Sequence, residues 1–175
     1  MNLDEFVAQN GVSRKTEAGE YLFRQGDPDQ SLYAVKSGLL KAYYLSVDGK
    51  ENIKSFILPG GNIGSLSAVH AGGGCTFSLV CLKPCELVVV EFKALYEASR
   101  NDVSISAGIV DFLLAFGMKK ELREYELLCL SAEDRYLRLL EKTPDIFNLV
   151  TQNDIARYLG ITPVALSRIK KRANQ

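Results

Sequence analysis

The chain has 175 residues, 21 basic and 21 acidic side chains and a hydrophobic fraction of 47%, as in an ordinary globular protein with one main domain and room for a smaller second one. Its first residues lack the basic and apolar stretch of a secretory signal, and its apolar runs are too short to cross a bilayer. Four cysteines in such a chain indicate reduced thiols. We therefore expect a cytoplasmic protein without disulfides and without membrane contact.

The first part of the chain has the pattern of an all-β domain. A short helix is predicted at about residues 2–9, and strands and turns follow over residues 19–95. Asp48 and Gly49 form a two-residue hairpin signal between two apolar runs. Many short strands at close spacing predict an antiparallel barrel or roll.

Helical periodicity replaces this pattern over residues 105–130. Ile105, Ile109, Phe112 and Phe116 recur in steps of four, three and four, and further leucines lie beside this stripe. A helix that is apolar on two sides needs two partners. We expect the roll to be one and a second copy of the chain to be the other, bound through Ile109, Phe112 and Phe116. The alternative is a helix that packs only within its own chain.

The last 25 residues have the pattern of two short helices joined by a tight corner. Thr151 is a good N-cap for the first helix, and Gly160 ends it. Thr162 caps the second helix, with Pro163 at its favoured first position. This pattern is typical of a DNA-binding helix-turn-helix, whose second helix enters the major groove; an ordinary αα-hairpin is the alternative. The residues predicted to face inward from the second helix are Leu166 and Ile169.

Charge is distributed unevenly along the chain. Residues 151–175 carry five basic residues and one acidic residue, a net charge of +4, so the rest of the chain carries −4. A basic terminal module on a neutral protein suits local contact with phosphate groups. The predicted DNA contacts are Thr151, Gln152, Arg157, Thr162, Pro163, Val164, Ser167, Arg168, Lys170 and Lys171.

The order of roll, long helix and terminal helix-turn-helix resembles the bacterial regulator superfamily of the cyclic AMP receptor protein and the fumarate-nitrate regulator. Residues 19–27, 32–38 and 48–51 look like three successive motifs of that family's roll. Residues 64–91 have the length of its phosphate-binding cassette, and residues 134–137 look like the connector before its DNA-binding part. The resemblance covers nearly the whole chain.

This resemblance implies an α+β fold in three parts. Residues 1–100 would form an N-terminal antiparallel double-stranded β-roll, the jelly-roll-like fold of cyclic-nucleotide-binding domains, which acts as an effector or sensor domain. Residues 101–130 would form a long dimerisation helix, and residues 131–175 a helix-turn-helix DNA-binding domain. The family's β-hairpin wing has no counterpart in this sequence, which we expect to weaken contacts with the DNA backbone.

The cassette of this chain differs in sequence from the cassette of the nucleotide-binding relatives. Their cassette contains Gly-Glu-Leu and, after a short helix, Arg-Ser or Arg-Thr. Aligned without a gap, Gly64, Ser65 and Leu66 take the place of the first triplet, and Cys75 and Thr76 that of the second pair. The residues that meet the base of the bound cyclic nucleotide in relatives correspond to Lys120 and Glu121. Loss of the carboxylate for the ribose and of the guanidinium for the phosphate argues against cyclic AMP as ligand. The effector pocket then either holds a less anionic molecule or has closed into core.

The resemblance also indicates which residues of the second helix contact DNA bases. Pro163 and Val164 stand where relatives have an Arg-Glu pair, whereas Arg168 corresponds to a later base-contacting arginine. A guanidinium donates two parallel hydrogen bonds to guanine in the major groove. We therefore assign Arg168 the strongest role in sequence readout.

Other cofactor and enzyme chemistry finds little support in the sequence. An iron–sulfur cluster as in the fumarate-nitrate branch needs an N-terminal cysteine cluster, and residues 1–74 contain no cysteine. Cys75 and the single histidine, His70, are a weak signal for haem, and one histidine argues against a cupin-type metal site. No nucleophile elbow, carboxylate pair or phosphate-binding loop motif occurs in the sequence. We expect no enzyme activity and no metal, and leave any cofactor unknown.

The sequence thus predicts a homodimeric regulator that binds double-stranded DNA at a pseudo-palindromic operator. RNA polymerase and a small-molecule effector are further partners that the resemblance leaves open. The competing hypothesis is a ligand-binding or protein-interaction module of the same fold that has lost DNA binding.

Overall fold

The structure is a computed structural model that describes residue 1 and residues 3–173. Two four-stranded antiparallel sheets face each other and form the predicted roll, preceded by α1 (Leu3–Asn10). One sheet has the order β1-β8-β3-β6 and the other β2-β7-β4-β5. The strands are β1 (Val12–Thr16), β2 (Tyr21–Phe23), β3 (Ser31–Ser37), β4 (Leu40–Leu45), β5 (Glu51–Ile57), β6 (Asn62–Ile63), β7 (Ser78–Cys81) and β8 (Cys85–Glu91).

The inward positions of both sheets form the core of the roll. Phe23, Tyr33, Leu40, Leu79 and Leu87 are all almost completely buried. Side chains alternate between the two faces of a strand, so each strand contributes every second residue to this core. Gly49 adopts a φ of 79° in the turn between β4 and β5, which glycine tolerates without steric cost.

The roll begins earlier than the sequence predicts. β1 pairs with β8 from Val12 opposite Val89 to Thr16 opposite Cys85. Thr16 is the buried residue of this strand, and the other side chains are exposed or half-buried. An edge strand that buries so little lacks the apolar alternation on which sequence prediction depends.

Two short helices and one long helix complete the sensor half of the chain. They include α2 (Leu66–Ala71), α3 (Phe92–Ser99) and α4 (Val103–Cys129). The Asp102 carboxylate caps α4 by accepting hydrogen bonds from the backbone amides of Ser104 and Ile105. At 27 residues, α4 extends from the roll to the C-terminal helices.

The stripe that the sequence assigned to a dimer interface makes contacts within the chain along part of its length. Ile105 is buried, and Ile109 packs with it against a cluster that includes Phe6 of α1 and Leu95 of α3. Phe116 lies near Lys54 of β5, whose ammonium group is 5.5 Å from the centre of its ring, and Phe112 stacks on Phe116. These three side chains remain half-buried in the single chain, so the assignment of Ile109, Phe112 and Phe116 to an intermolecular contact stays a prediction.

The opposite side of α4 is exposed and apolar. Val103, Val110, Leu114 and Leu128 are 86%, 54%, 60% and 76% exposed. At about 100° of rotation per residue they lie along one side of the helix, away from the Ile105–Phe116 stripe. Their separations of seven, four and fourteen residues follow the heptad spacing of a helix-to-helix seam.

The C-terminal helices share one core with the roll. They are α5 (Ala132–Lys142), α6 (Ile146–Leu149), α7 (Gln152–Leu159) and α8 (Pro163–Ala173). Tyr136, Ile155, Leu159 and Leu166 are buried together with Leu39, which comes from the roll between β3 and β4. The C-terminal helices are therefore packed against the sensor half. Within the described part of the chain, no helix has the length and apolar character needed to cross a membrane.

Candidate nucleic-acid interface

The capping pattern read from the sequence forms the corner between α7 and α8. The Thr151 hydroxyl accepts a hydrogen bond from the Asp154 amide at 3.1 Å and donates to the Asp154 carboxylate at 2.8 Å. Gly160 ends α7 in the left-handed conformation with a φ of 69°. The Thr162 hydroxyl then accepts from the Ala165 amide at 3.2 Å, so α8 begins at Pro163 as predicted.

α8 buries one side and exposes the other. Leu166 and Ile169 are buried in the shared core with 1% and 4% of their surface exposed. The exposed residues of α8 include every position predicted to face outward: Pro163, Val164, Ser167, Arg168 and Lys171. Thr151, Gln152 and Thr162 are also exposed, beside the ends of the two helices.

Some of the neighbouring cations have partners within the chain. Lys170 donates a hydrogen bond to the Gln152 side chain at 3.0 Å. Arg172 pairs with Glu133 of α5 at 2.9 Å. Within the described residues, no ion pair forms at Arg168 or Lys171, so both charges remain available to a ligand outside the protein.

Arg157, a predicted phosphate contact, is turned toward the roll. Its guanidinium pairs with Glu51 at the start of β5 at 2.9 Å. The same carboxylate pairs with Lys41 at 3.3 Å, and Lys41 pairs with Asp154 at 3.4 Å. Lys41 and Asp154 each retain only 11% side-chain exposure. This chain of alternating charges attaches α7 to the roll, and the assignment of Arg157 to DNA stays a prediction.

The cassette residues form a closed, hydrogen-bonded part of the roll. Ser65 and Cys75 are each 2% exposed. The Ser65 hydroxyl accepts from the Thr76 amide at 3.4 Å, and the Cys75 amide donates to the Asp27 carbonyl at 2.7 Å. Burial raises the pKa of the Cys75 thiol. Gly64 is packed closely enough against Leu32 that an added Cβ would lie 2.5 Å from a leucine methyl group.

The two positions predicted to meet the base of a bound nucleotide are exposed on α4. Lys120 lines a cavity of about 730 Å³ beside β5, α5 and α7, and Gly64, Ser65, Leu66, Cys75 and Thr76 do not line it. Glu121 lies on the exposed, outward side of α4. The structure thus brings Ser65, Cys75 and Thr76 together, whereas the grouping of Lys120 and Glu121 with them stays a prediction.

The residues that sequence reasoning missed are the cations around that cavity. They include Lys54 of β5, Lys119 and Arg123 of α4 and Arg135 of α5. A lysine in the middle of a strand whose core residues are Ile53 and Ile57 was the available signal. Whether Lys119 and Arg123 reach the cavity depends on which face of α4 meets the roll, and whether Arg135 does depends on the packing of α5.

Comparison with known proteins agrees with this architecture. The family model of the cyclic nucleotide-binding domain matches residues 13–102, which are the roll and the start of the helical region. The fumarate and nitrate reduction regulatory protein of Shigella dysenteriae is 30% identical over 179 residues, covering 91% of this chain and 68% of that protein. The transcriptional activator protein Anr of Pseudomonas aeruginosa is 28% identical over 190 residues, covering 99% of this chain and 74% of that protein.

Solved structures share the fold at lower sequence identity. FixK2 from Bradyrhizobium japonicum superposes with a TM-score of 0.81 and 19% identity, over 94% of this chain and 84% of that one. The chain therefore belongs to the cyclic nucleotide-binding domain family and, within it, to the superfamily of the cyclic AMP receptor protein and the fumarate-nitrate regulators. Its curated relatives are transcriptional regulators.

Proposed function

We propose that this protein is a sequence-specific DNA-binding transcriptional regulator that reads DNA with α8. The observation that carries the proposal is the capped corner before α8, which leaves Ser167, Arg168 and Lys171 on one exposed face. An α-helix fits the major groove, and an arginine on its outer face donates two hydrogen bonds to guanine. Regulation of transcription by the curated relatives supports the same conclusion.

The regulator acts as a dimer joined by the outward face of α4. Support comes from the exposed heptad-spaced residues Val110, Leu114 and Leu128, which leave an apolar seam facing solvent in one chain. Two chains related by a two-fold axis present two copies of α8 to a pseudo-palindromic site. The working parts are then a sensor roll (residues 1–100), a dimerisation helix (101–130) and a reading module (131–175), with RNA polymerase as a further partner.

A protein-interaction module that no longer binds DNA is the second candidate. The ion pair between Arg157 and Glu51 favours it, because this cation is used inside the protein. Arg172 is paired in the same way with Glu133. Fewer available cations mean fewer phosphate contacts and weaker binding to any DNA.

Two single changes distinguish these candidates and separate base reading from phosphate contact. Arg168→Ala should weaken binding to a preferred site by about 1–3 kcal/mol and remove a base preference at one position per half-site. Lys171→Ala should weaken binding to all sequences alike. It should also reduce the slope of the logarithm of the binding constant against the logarithm of the salt concentration by about one unit. Fluorescence anisotropy with a preferred and a random duplex measures both. Equal weakening of both duplexes by Arg168→Ala would refute its base-reading role, and absence of DNA binding by the wild type would favour the second candidate.

The cassette is not a cyclic AMP site in this proposal. Ser65 and Cys75 are buried against their neighbours and offer the phosphate no positive charge. Calorimetric titration with cyclic AMP should therefore show no binding at physiological concentrations. Micromolar binding at one site per chain that is lost on Ser65→Leu would overturn this expectation.

A further inference from the structure

A cavity separate from the cassette lies where the roll, the long helix and the C-terminal helices meet. Its volume is about 730 Å³, within the range that accommodates a small organic molecule. Among the described residues lining it, eight are basic and two are acidic. Lys54 comes from β5, Lys120 from α4, Arg135 from α5 and Arg157 from α7, so every wall contributes positive charge.

The positive charge of this cavity is not balanced by its acidic residues. Glu126 already pairs with Arg138 at 3.8 Å and with Lys142 at 3.3 Å. No carboxylate of the described chain lies within ion-pair distance of Lys54, Lys119 or Lys120. Like charges gathered in a partly dehydrated space repel one another, and a bound anion removes that repulsion.

Lys54 is the most strongly affected member of the group. Its ammonium group lies 4.7 Å from the centre of the Phe77 ring and 5.5 Å from that of Phe116, which leaves it partly dehydrated. Burial, together with the charges of Lys120 and Lys119, lowers its pKa to about 8. A cation held in this condition, at the wall of an accessible cavity, is well placed to pair with an incoming anion.

The arginines on the opposite walls are fixed by backbone contacts. Arg123 donates to the Tyr158 carbonyl and lies over the Tyr158 ring. Arg135 donates to the carbonyls of Leu130 at 2.7 Å and Leu159 at 3.1 Å. These hydrogen bonds orient the guanidinium groups but leave their charge uncompensated, so a ligand meets cations that are already positioned.

We propose that this cavity binds a small molecule that carries at least two negative charges on phosphate or carboxylate groups together with an apolar body. The cations supply the charge, and the apolar body packs on side chains such as Ile53, Phe116 and Leu122 of the same cavity. The site is distinct from the cassette, whose residues Ser65 and Cys75 do not line it.

Such a ligand touches the sensor and the reading module at once. Its contacts with Lys54 of β5 and with Arg157 and Tyr158 of α7 favour the arrangement in which α7 lies against the roll. A ligand shifts a conformational equilibrium by its difference in affinity for the two states. The regulatory consequence for DNA binding rests on the proposed function, whereas ligand binding itself does not.

The test is calorimetry on the full chain with pyrophosphate, adenosine triphosphate and citrate, each without metal ions, up to about 10 mM. We expect one binding site per chain for at least one probe. Binding of pyrophosphate would show that negative charge suffices, and binding of adenosine triphosphate alone would show that an apolar body is needed. Binding of citrate would show that carboxylate groups serve as well as phosphate groups. Because binding restores the proton on Lys54, the heat at pH 8 should differ between buffers of different ionisation enthalpy in the direction of proton uptake.

Matched variants locate the site. Lys54→Met combined with Lys120→Gln should weaken binding by about tenfold or more, since two charge-assisted contacts are lost. Lys36→Gln combined with Lys93→Gln, two exposed lysines that do not line the cavity, should leave it unchanged. Arg168→Ala combined with Lys171→Ala should also leave it unchanged, which separates the cavity from the DNA-reading surface.

The proposal is overturned by three results. These are no binding of any probe to the wild type, equal weakening by the Lys36/Lys93 control, or loss of binding in the Arg168/Lys171 variant. Lys120→Gln alone, at an exposed position of α4, gives a folded variant should the double change fail to fold. DNA binding is measured on the same preparations without ligand, so failure of the proposed function is seen independently.

Discussion

At the scale of single residues, Lys54 shows how the fold alters a side chain's chemistry. The ordinary pKa of a lysine is 10.5, and dehydration beside Lys119 and Lys120 lowers that of Lys54 to about 8. Tyr44 of the neighbouring strand also lines this space and is held neutral by a raised pKa. Between pH 8 and 10.5 the unfolded chain therefore holds more protons at this position than the folded chain, so the contribution of Lys54 to stability increases with pH.

Lys54→Met should therefore stabilise the protein at pH 7, where the wild type keeps a partly buried charge. We expect a gain of about 1–2 kcal/mol in the free energy of unfolding, after allowing for the water that still reaches the group. The gain should shrink as the pH rises from 8 to 10.5, because the wild-type lysine loses its charge over that interval. Urea denaturation of both proteins at pH 7, 9 and 10.5 measures it, with Lys36→Met as the exposed control. A difference in the free energy of unfolding between the two proteins that stays constant with pH would contradict the lowered pKa of Lys54.

The cassette shows how far single residues can be predicted from the sequence. A gap-free register placed Ser65 and the Cys75–Thr76 pair in one site, and the structure joins them by the hydrogen bond from the Thr76 amide to the Ser65 hydroxyl. The same register grouped them with Lys120 and Glu121 of α4, and that grouping stays a prediction. Register along a strand follows from local pattern, whereas contact with a distant helix depends on its rotation, which local pattern does not encode.

At the scale of elements, the helix caps were the best-predicted features and the faces of α4 the least. Thr151, Gly160 and Thr162 act through neighbours within a few residues, so their roles follow from local sequence. α4 is apolar on two sides, and Lys119 and Arg123 lie on the side that meets the roll. Sequence pattern alone assigns such charges to solvent, so it does not predict the cavity that they line.

Leu114→Asp tests the exposed outward face of α4 as the proposed dimer interface. Across a two-fold axis it places two carboxylates against each other in an apolar seam, which should convert a dimer into monomers. Leu137→Asp, at an exposed position of α5 outside the seam, is the matched control and should remain dimeric. Sedimentation velocity at micromolar concentration gives the mass of each protein. A wild-type mass of one chain would show that the outward face of α4 does not join two copies.

At the scale of the whole molecule, the roll and the C-terminal helices are parts of one packed unit. Leu39 of the roll lies in the same core as Leu159 and Leu166, and the Arg157–Glu51 ion pair closes the contact at the surface. We expect an alteration at this junction to change the position of α8. A ligand in the cavity of about 730 Å³ would then act on α8 through this junction, without involving the closed cassette.

The most direct test of DNA reading by α8 in a two-fold symmetric dimer is selection of binding sites from a pool of random duplexes by the wild-type protein. We expect enrichment of an inverted repeat whose half-sites lie one helical turn apart, about 34 Å, or a multiple of it. Arg168→Ala in a parallel selection should lose one conserved guanine from each half-site. A wild-type pool that remains random, or one enriched in a single site without symmetry, would contradict the account.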